Sequence, residues 1–111
     1  MIGGNTNLII KELNGENESF DENGARIVEY KQVASLFGWL DLMTGDSKYD
    51  YKAKIEDSTH IFICDYIDVS NVDVEKSKAS INGEEYDLKY IDDPMGLNEQ
   101  LEIYLKKVGG Q

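Results

Sequence analysis

The sequence predicts an all-β domain, and three observations carry that expectation. Asn-Gly occurs at Asn14-Gly15, Asn23-Gly24 and Asn82-Gly83, and this dipeptide supplies the positive φ values that tight hairpin turns demand. After the third, Glu84-Glu85-Tyr86-Asp87-Leu88-Lys89-Tyr90-Ile91 alternates with period two, as a half-buried strand does. Upstream, Thr59-His60-Ile61-Phe62-Ile63-Cys64-Asp65-Tyr66-Ile67 carries apolar residues on both faces, which fits a central strand.

Taken in order, Leu8 to Leu13 reads as a first strand, and the polar stretch 14–24 as a loop or hairpin tip. Between Arg26 and Leu42, the residues Ile27, Val28, Tyr30, Val33, Phe37 and Trp39 indicate two further strands. Residues 44–58 form an insertion between strands. Its charged part, Asp46 to Asp57, lacks alternation and reads as either a short helix or a mobile loop. In the hairpin around Asn82-Gly83, a two-residue loop sets Ile81 opposite Glu84, Ala79 opposite Tyr86 and Lys78 opposite Asp87, with Tyr86, Leu88 and Tyr90 on one face. Asp92-Asp93-Pro94-Met95-Gly96 marks a turn. The last stretch supports two readings. As a strand, Leu101, Ile103 and Leu105 alternate with Glu102, Tyr104 and Lys106. As a helix, Asn98 caps it, Leu97, Leu101, Leu105 and Val108 recur at helical spacing, and Gly109-Gly110 ends it. Local signals lean to the helix. With 111 residues and no linker-like tract, residues 1–111 make one domain.

Charge narrows the function classes. The chain has 22 Asp plus Glu against 11 Lys plus Arg, a formal charge of -11. Residues 1–40, 41–80 and 81–111 contribute -3, -4 and -4, so the acidity belongs to the whole body. Such a surface repels phosphates, whose capture relies on Lys and Arg displacing counterions. Direct nucleic-acid binding is therefore not expected. Cys64 is the single cysteine, so no internal disulfide forms, and a reducing compartment fits best. No basic residue precedes the short apolar run at the start, and Val33 to Leu40 is far shorter than the ~18 residues of a membrane span. Export by an ordinary signal and membrane insertion are not expected.

Residues with catalytic chemistry are few. His60 is the single histidine and sits on a predicted strand, where a structural role outweighs general acid/base work. His60 and Cys64 share a strand face but lie ~13 Å apart along it, too far for a Cys-His nucleophile pair. Asp92 and Asp93, ahead of Pro94, read as turn initiators rather than a carboxylate dyad. Asp21-Glu22-Asn23-Gly24 lacks the spaced ligands of a calcium loop. No cofactor, metal or catalytic residue is expected. Tyr49 and Tyr51, among charges, suit a protein contact better than a ligand pocket.

One family matches the order of these features. Gly38-Trp39-Leu40-Asp41-Leu42-Met43-Thr44-Gly45, a variable charged segment, Glu56-Asp57-Ser58-Thr59-His60-Ile61-Phe62-Ile63, then Ile81-Asn82-Gly83-Glu84-Glu85-Tyr86-Asp87-Leu88, Tyr90-Ile91-Asp92-Asp93-Pro94 and Leu101 to Leu105 resemble the head-tail joining (head closure, stopper) proteins of tailed bacteriophages. The resemblance covers residues 26–108. It implies a small antiparallel β-barrel or sandwich, with the final segment a strand against the local lean to helix. It implies a virion neck protein, made in the bacterial host cytoplasm, that forms a homo-oligomeric ring below the portal or adaptor protein. Such a ring retains packaged DNA and docks a tail terminator or tail-completion protein. By the same resemblance Asp46, Lys48, Tyr49, Asp50, Tyr51 and Lys52 line or gate the channel. The family's segment is often rich in Glu and Ala, whereas this one has two tyrosines.

A channel wall past which DNA slides should not grip phosphates, and carboxylates repel them within a Debye length of about 8 Å. The isolated chain is expected to be a monomer, because copies of this charge repel unless lysines such as Lys48, Lys52, Lys54, Lys76 and Lys78 pair with a neighbour's acids. A stable, salt-insensitive ring of the purified chain would contradict this. Two other functions compete: an acidic mimic of nucleic acid, with carboxylates arrayed on a convex face, and a small enzyme using His60 with Asp92 or Asp93.

Overall fold

The computed structural model describes residues 2–13, 19–27, 30–42 and 58–108. The Asn14-Gly15 turn, the insertion over 44–57 and Gly109-Gly110 lie outside them. Eight strands are present among the described residues: β1 (Thr6–Leu13), β2 (Ser19–Phe20), β3 (Arg26–Ile27), β4 (Tyr30–Leu42), β5 (His60–Asp65), β6 (Ser77–Ile81), β7 (Glu84–Asp92) and β8 (Gln100–Lys107). Six close into an antiparallel barrel in the order β1-β4-β5-β8-β7-β6, with β1 pairing back onto β6. The predicted all-β class holds, and the helical residues described are two 3-10 turns, Val74–Lys76 and Pro94–Gly96. None of the described helical segments is long and apolar enough to cross a membrane.

The β6–β7 hairpin has the predicted register: Ile81 faces Glu84, Ala79 faces Tyr86 and Lys78 faces Asp87. Asn82 (φ 52°) and Gly83 (φ 82°) are both left-handed, which turns the chain in the sense that matches strand twist. The ion pair differs in detail, since the Lys78 Nζ reaches diagonally to Glu85 at 3.5 Å. Beyond Leu88 the expected face is corrected. Leu88 pairs with Leu105 and Tyr90 with Tyr104, so Lys89 is an extra residue on β7. A bulge of this kind reverses the inside-outside alternation that follows it. Tyr86 and Leu88 are buried in the core, Tyr90 turns outward, and Ile91 packs on the core instead.

The final segment is a strand, as the family resemblance implies and the local helical lean does not. Leu101, Ile103 and Leu105 point into the barrel, and Asn98, the helix cap of the other reading, is a left-handed turn residue (φ 56°). Its amide donates to the Asp93 carboxylate at 3.0 Å. Flanking strands β5 and β7 satisfy the β8 backbone, and that pairing outweighs a marginal helical propensity.

The two strands expected between Arg26 and Leu42 come out unequal, two residues and thirteen. β4 pairs with β1 through its first part and with β5 through its last, and Gly38 belongs to both ladders, opposite Thr6 and Cys64. The stretch 14–24 is in part a hairpin tip. The Asp21 carboxylate accepts from the amides of Asn23 and Ala25, both at 2.9 Å, so it closes the turn between β2 and β3 as an Asx motif. β5 is central but ends at Asp65, two residues early. Asp68 accepts from the Ser70 amide at 2.9 Å and starts a turn there. The core comprises Leu8, Ile10, Leu36, Phe62, Cys64, Ala79, Ile81, Tyr86, Leu88, Leu101, Ile103 and Leu105.

Candidate functional surfaces

The residues expected at the channel, Asp46, Lys48, Tyr49, Asp50, Tyr51 and Lys52, lie outside the described residues. What the structure places is the rim on which that insertion is mounted. It leaves the barrel at Leu42 and returns at Ser58, and Leu42 is the cross-strand partner of His60. Ser58 is fully buried, and its Oγ has no hydrogen-bond partner among the described residues. Thr59 fastens the return: its amide donates to the Leu105 carbonyl at 2.8 Å, and its Oγ accepts from the Lys107 amide at 2.9 Å.

His60 lies on this rim. Its Nδ1 is 2.8 Å from the Thr59 Oγ, and its ring stands edge-on to Tyr86 with centroids 5.3 Å apart. Burial, then the Lys107 charge, holds the imidazole below its ordinary value, against a smaller opposing pull from Glu84. Lys107 and Glu84 themselves pair at 3.1 Å. Because the folded state resists protonation, stability associated with His60 is present above the unfolded value near 6.5 and lost as pH falls below it. Thermal melts between pH 7 and 5 should therefore show a smaller acid loss for His60→Gln than for wild type.

Cys64 lies in the core on the inward face of β5. Burial, assisted by Asp65, pushes its thiol up to about 11, so it is protonated at neutral pH. A thiol-reactive dye should label it only as fast as the protein unfolds; rapid labelling of the native protein would contradict that.

A second surface is apolar and carries no nucleophile or general base. Phe37 and Trp39 alternate with the inward residues Leu36 and Leu40, and they remain 54% and 46% exposed. Trp39 is opposite Ile63, and Ile61 is opposite Tyr104, so apolar residues run along the outer side of β4, β5 and β8, exposed at Phe37 and Trp39 and buried at Tyr104, against which Ile61 and Tyr90 pack. Tyr90 stacks on Tyr104 at 6.2 Å, and the Tyr104 hydroxyl donates to Glu102 at 3.0 Å. The N-terminal segment is tied to this side, with the Trp39 Nε1 donating to the Ile2 carbonyl at 3.1 Å and the Ile2 amide donating to Asp65 at 2.7 Å.

At the other end of the barrel lies a pocket of about 430 Å³. Leu13, Tyr30, Val74 and Leu88 give it apolar walls, and Lys76, Lys78 and Lys89 stand on it together with Glu75 and Asp87. At the same end the turn between β7 and β8 projects Met95 and Leu97, which are 91% and 57% exposed.

Fold and surfaces together define a small closed six-stranded β-barrel that carries the segment between Leu42 and Ser58 at one rim and a pocket at the other. Solved structures that share this fold include the following two. The protein SF1141 from Shigella flexneri 2a matches with a TM-score of 0.68 at 12% identity, over 100% of this chain and 98% of that one. A chain of the virion of a native gene transfer agent particle matches with a TM-score of 0.55 at 10% identity, over 96% of each chain. No protein-family profile matches the chain, and no curated protein matches it.

Proposed function

We propose that this chain is a structural virion protein of the phage neck. It joins head to tail by binding as a ring below the portal or adaptor protein, retains packaged DNA and offers a docking surface to a tail-completion protein. The observation that carries the proposal is the end-to-end match of its barrel to a chain of a virion particle. The ordered motifs within residues 26–108 resemble the head-tail joining proteins and support the same reading. The charge of -11 suits a part that stands beside DNA without gripping it.

The job involves no bond chemistry. His60 is committed to Thr59 and Tyr86 and Cys64 to the core, so His60→Gln should retain full function in a plating assay; loss of function with an intact fold would favour the enzymatic alternative. An acidic mimic of nucleic acid gains no support from the described outer strands. Their acids mix with lysines, as in Lys78–Glu85 and Lys107–Glu84, and one face is apolar. Electron microscopy of particles lacking this protein tests the proposal directly. Full heads that lose DNA and carry no tails are expected, and intact tailed particles would refute it.

A further inference from the structure

We propose that the acidic groove at the barrel mouth, between the turn after β5 and the β7–β8 turn, docks an arginine-bearing apolar segment of a partner protein. The inference rests on the neck reading above, in which this chain meets other virion proteins, and it names the chemistry by which one of them is recognised.

The groove is built by the fold. The Tyr66 amide donates to the Glu99 carbonyl at 3.2 Å, which carries the β5–β8 pairing one step past the end of β5. The Val72 amide then donates to the Val69 carbonyl at 2.9 Å and turns the chain. On β7, the extra residue at Lys89 is what sets Ile91 inward. Tyr66, Val69, Val72 and Ile91 thus give apolar walls, packed against the core, to a pocket of about 380 Å³ that reaches the buried Leu101. That volume is at the small end for ligand sites, so the groove takes a few side chains rather than a folded element.

Charge selects the occupant. The charged groups among the described lining residues are Asp68 and Asp93, and no Lys or Arg stands with them. Residues 66–75 add Asp73 and Glu75, residues 90–105 add Asp92, Glu99 and Glu102, and neither stretch has a Lys, Arg or His. Lys76, the nearest base along the chain, lines the other pocket. Both lining carboxylates are fixed before a partner arrives, Asp68 accepting from the Ser70 amide at 2.9 Å and Asp93 from the Asn98 amide at 3.0 Å. The bonds from Ser70 also hold the Asp68 carboxyl below its ordinary value, which keeps it anionic at neutral pH. Apolar walls call for an apolar occupant and carboxylates for a cation. Arginine supplies both, with an apolar stem and a planar head that grips carboxylates and packs on an aromatic face such as Tyr66. A second copy of the chain is a poor occupant. The lysines of β6, β7 and β8, namely Lys78, Lys89, Lys106 and Lys107, are already engaged within it, and two bodies of charge -11 repel.

Nuclear magnetic resonance of the labelled full chain tests the contact, with the blocked peptide acetyl-Leu-Arg-Leu-Arg-Leu-amide as probe. Saturable shifts are expected at the amides of Ser70, Val72 and Leu101, weakened by added salt. Replacing the peptide's arginines by glutamine, or its leucines by serine, should each weaken binding about tenfold. Asp68→Asn with Asp93→Asn keeps an acceptor oxygen for Ser70 and Asn98, and should weaken binding about tenfold at unchanged melting. Glu22→Gln with Asp41→Asn removes the same charge elsewhere and should leave it unchanged. Val69→Ala trims one wall without touching a carboxylate, and should weaken binding about threefold. Absence of saturable shifts, equal binding of the serine peptide, or equal loss in the two double variants overturns the groove as the site. Shifts at the same amides on concentrating the protein without peptide assign it to a second copy and overturn the proposal too. If the peptide fails while particles lacking the chain are still tailless, the groove falls and the neck reading stands. If the peptide binds as expected while such particles keep their tails, the groove stands and the neck reading falls.

Discussion

Replacing Gly38 by alanine should destabilise the protein by about 3 kcal/mol, read as a lowered urea midpoint at unchanged slope. A Cβ at this position would overlap the Ile63 carbonyl oxygen and lie 2.8 Å from the Cys64 Cβ. The carbonyl belongs to the backbone of β5, which pairs with β4 on one side and β8 on the other, so it cannot withdraw without disturbing both ladders. The opposite approach is blocked as well. The Asn5 amide donates to the Gly38 carbonyl at 2.9 Å, and the N-terminal segment passes so close that a Cβ on Gly4 would overlap the Gly38 backbone. Ser35, exposed on the same strand, provides the control, and Ser35→Ala should stay within about 0.5 kcal/mol of wild type. Equal midpoints for wild type and Gly38→Ala would show that β4 and β5 can separate there without loss.

Phe62→Ala should cost about 3–5 kcal/mol, the range for emptying a fully buried aromatic site. Phe62 has no exposed surface and lies in register between Leu40 on β4 and Ile103 on β8, so it packs at the middle of the barrel wall. Domains of this size are stable by only about 5–15 kcal/mol, and the variant should be partly unfolded at 37 °C. Chemical denaturation at 10 °C gives its free energy, and a loss below about 1 kcal/mol would mean that the core collapses to fill the gap.

Much of this fold is legible in the sequence where the determining signal is local. Asn82-Gly83 sets a two-residue loop, and with it the register of β6 and β7 follows residue by residue. Tyr90 shows the limit. The bulge at Lys89 arises from how β7 meets β8, and nothing in residues 84–91 announces it. β8 is ambiguous for a related reason: Leu101 and Leu105 satisfy both periods, and the strand is selected by the neighbours it pairs with. Asp93-Pro94 announces a turn, but the left-handed backbone of Met95 follows from hydrogen bonds to Asp93 across the turn. Among functional surfaces, the apolar outside of β4 is visible in retrospect from Phe37 and Trp39 alternating with Leu36 and Leu40. The basis for Asp46, Lys48, Tyr49, Asp50, Tyr51 and Lys52 remains the family resemblance.

The pairing of β1 with β6 closes the ladder, and closure decides how such a protein can add to itself. A barrel without an unpaired edge offers no backbone template to an incoming strand. Its copies cannot merge their sheets into an irreversible fibre through these six strands. Association must go through side chains, whose contacts respond to salt, to single substitutions and to the order in which partners arrive. Such an architecture can be stored as separate subunits at high concentration and assembled when a scaffold presents the matching surface.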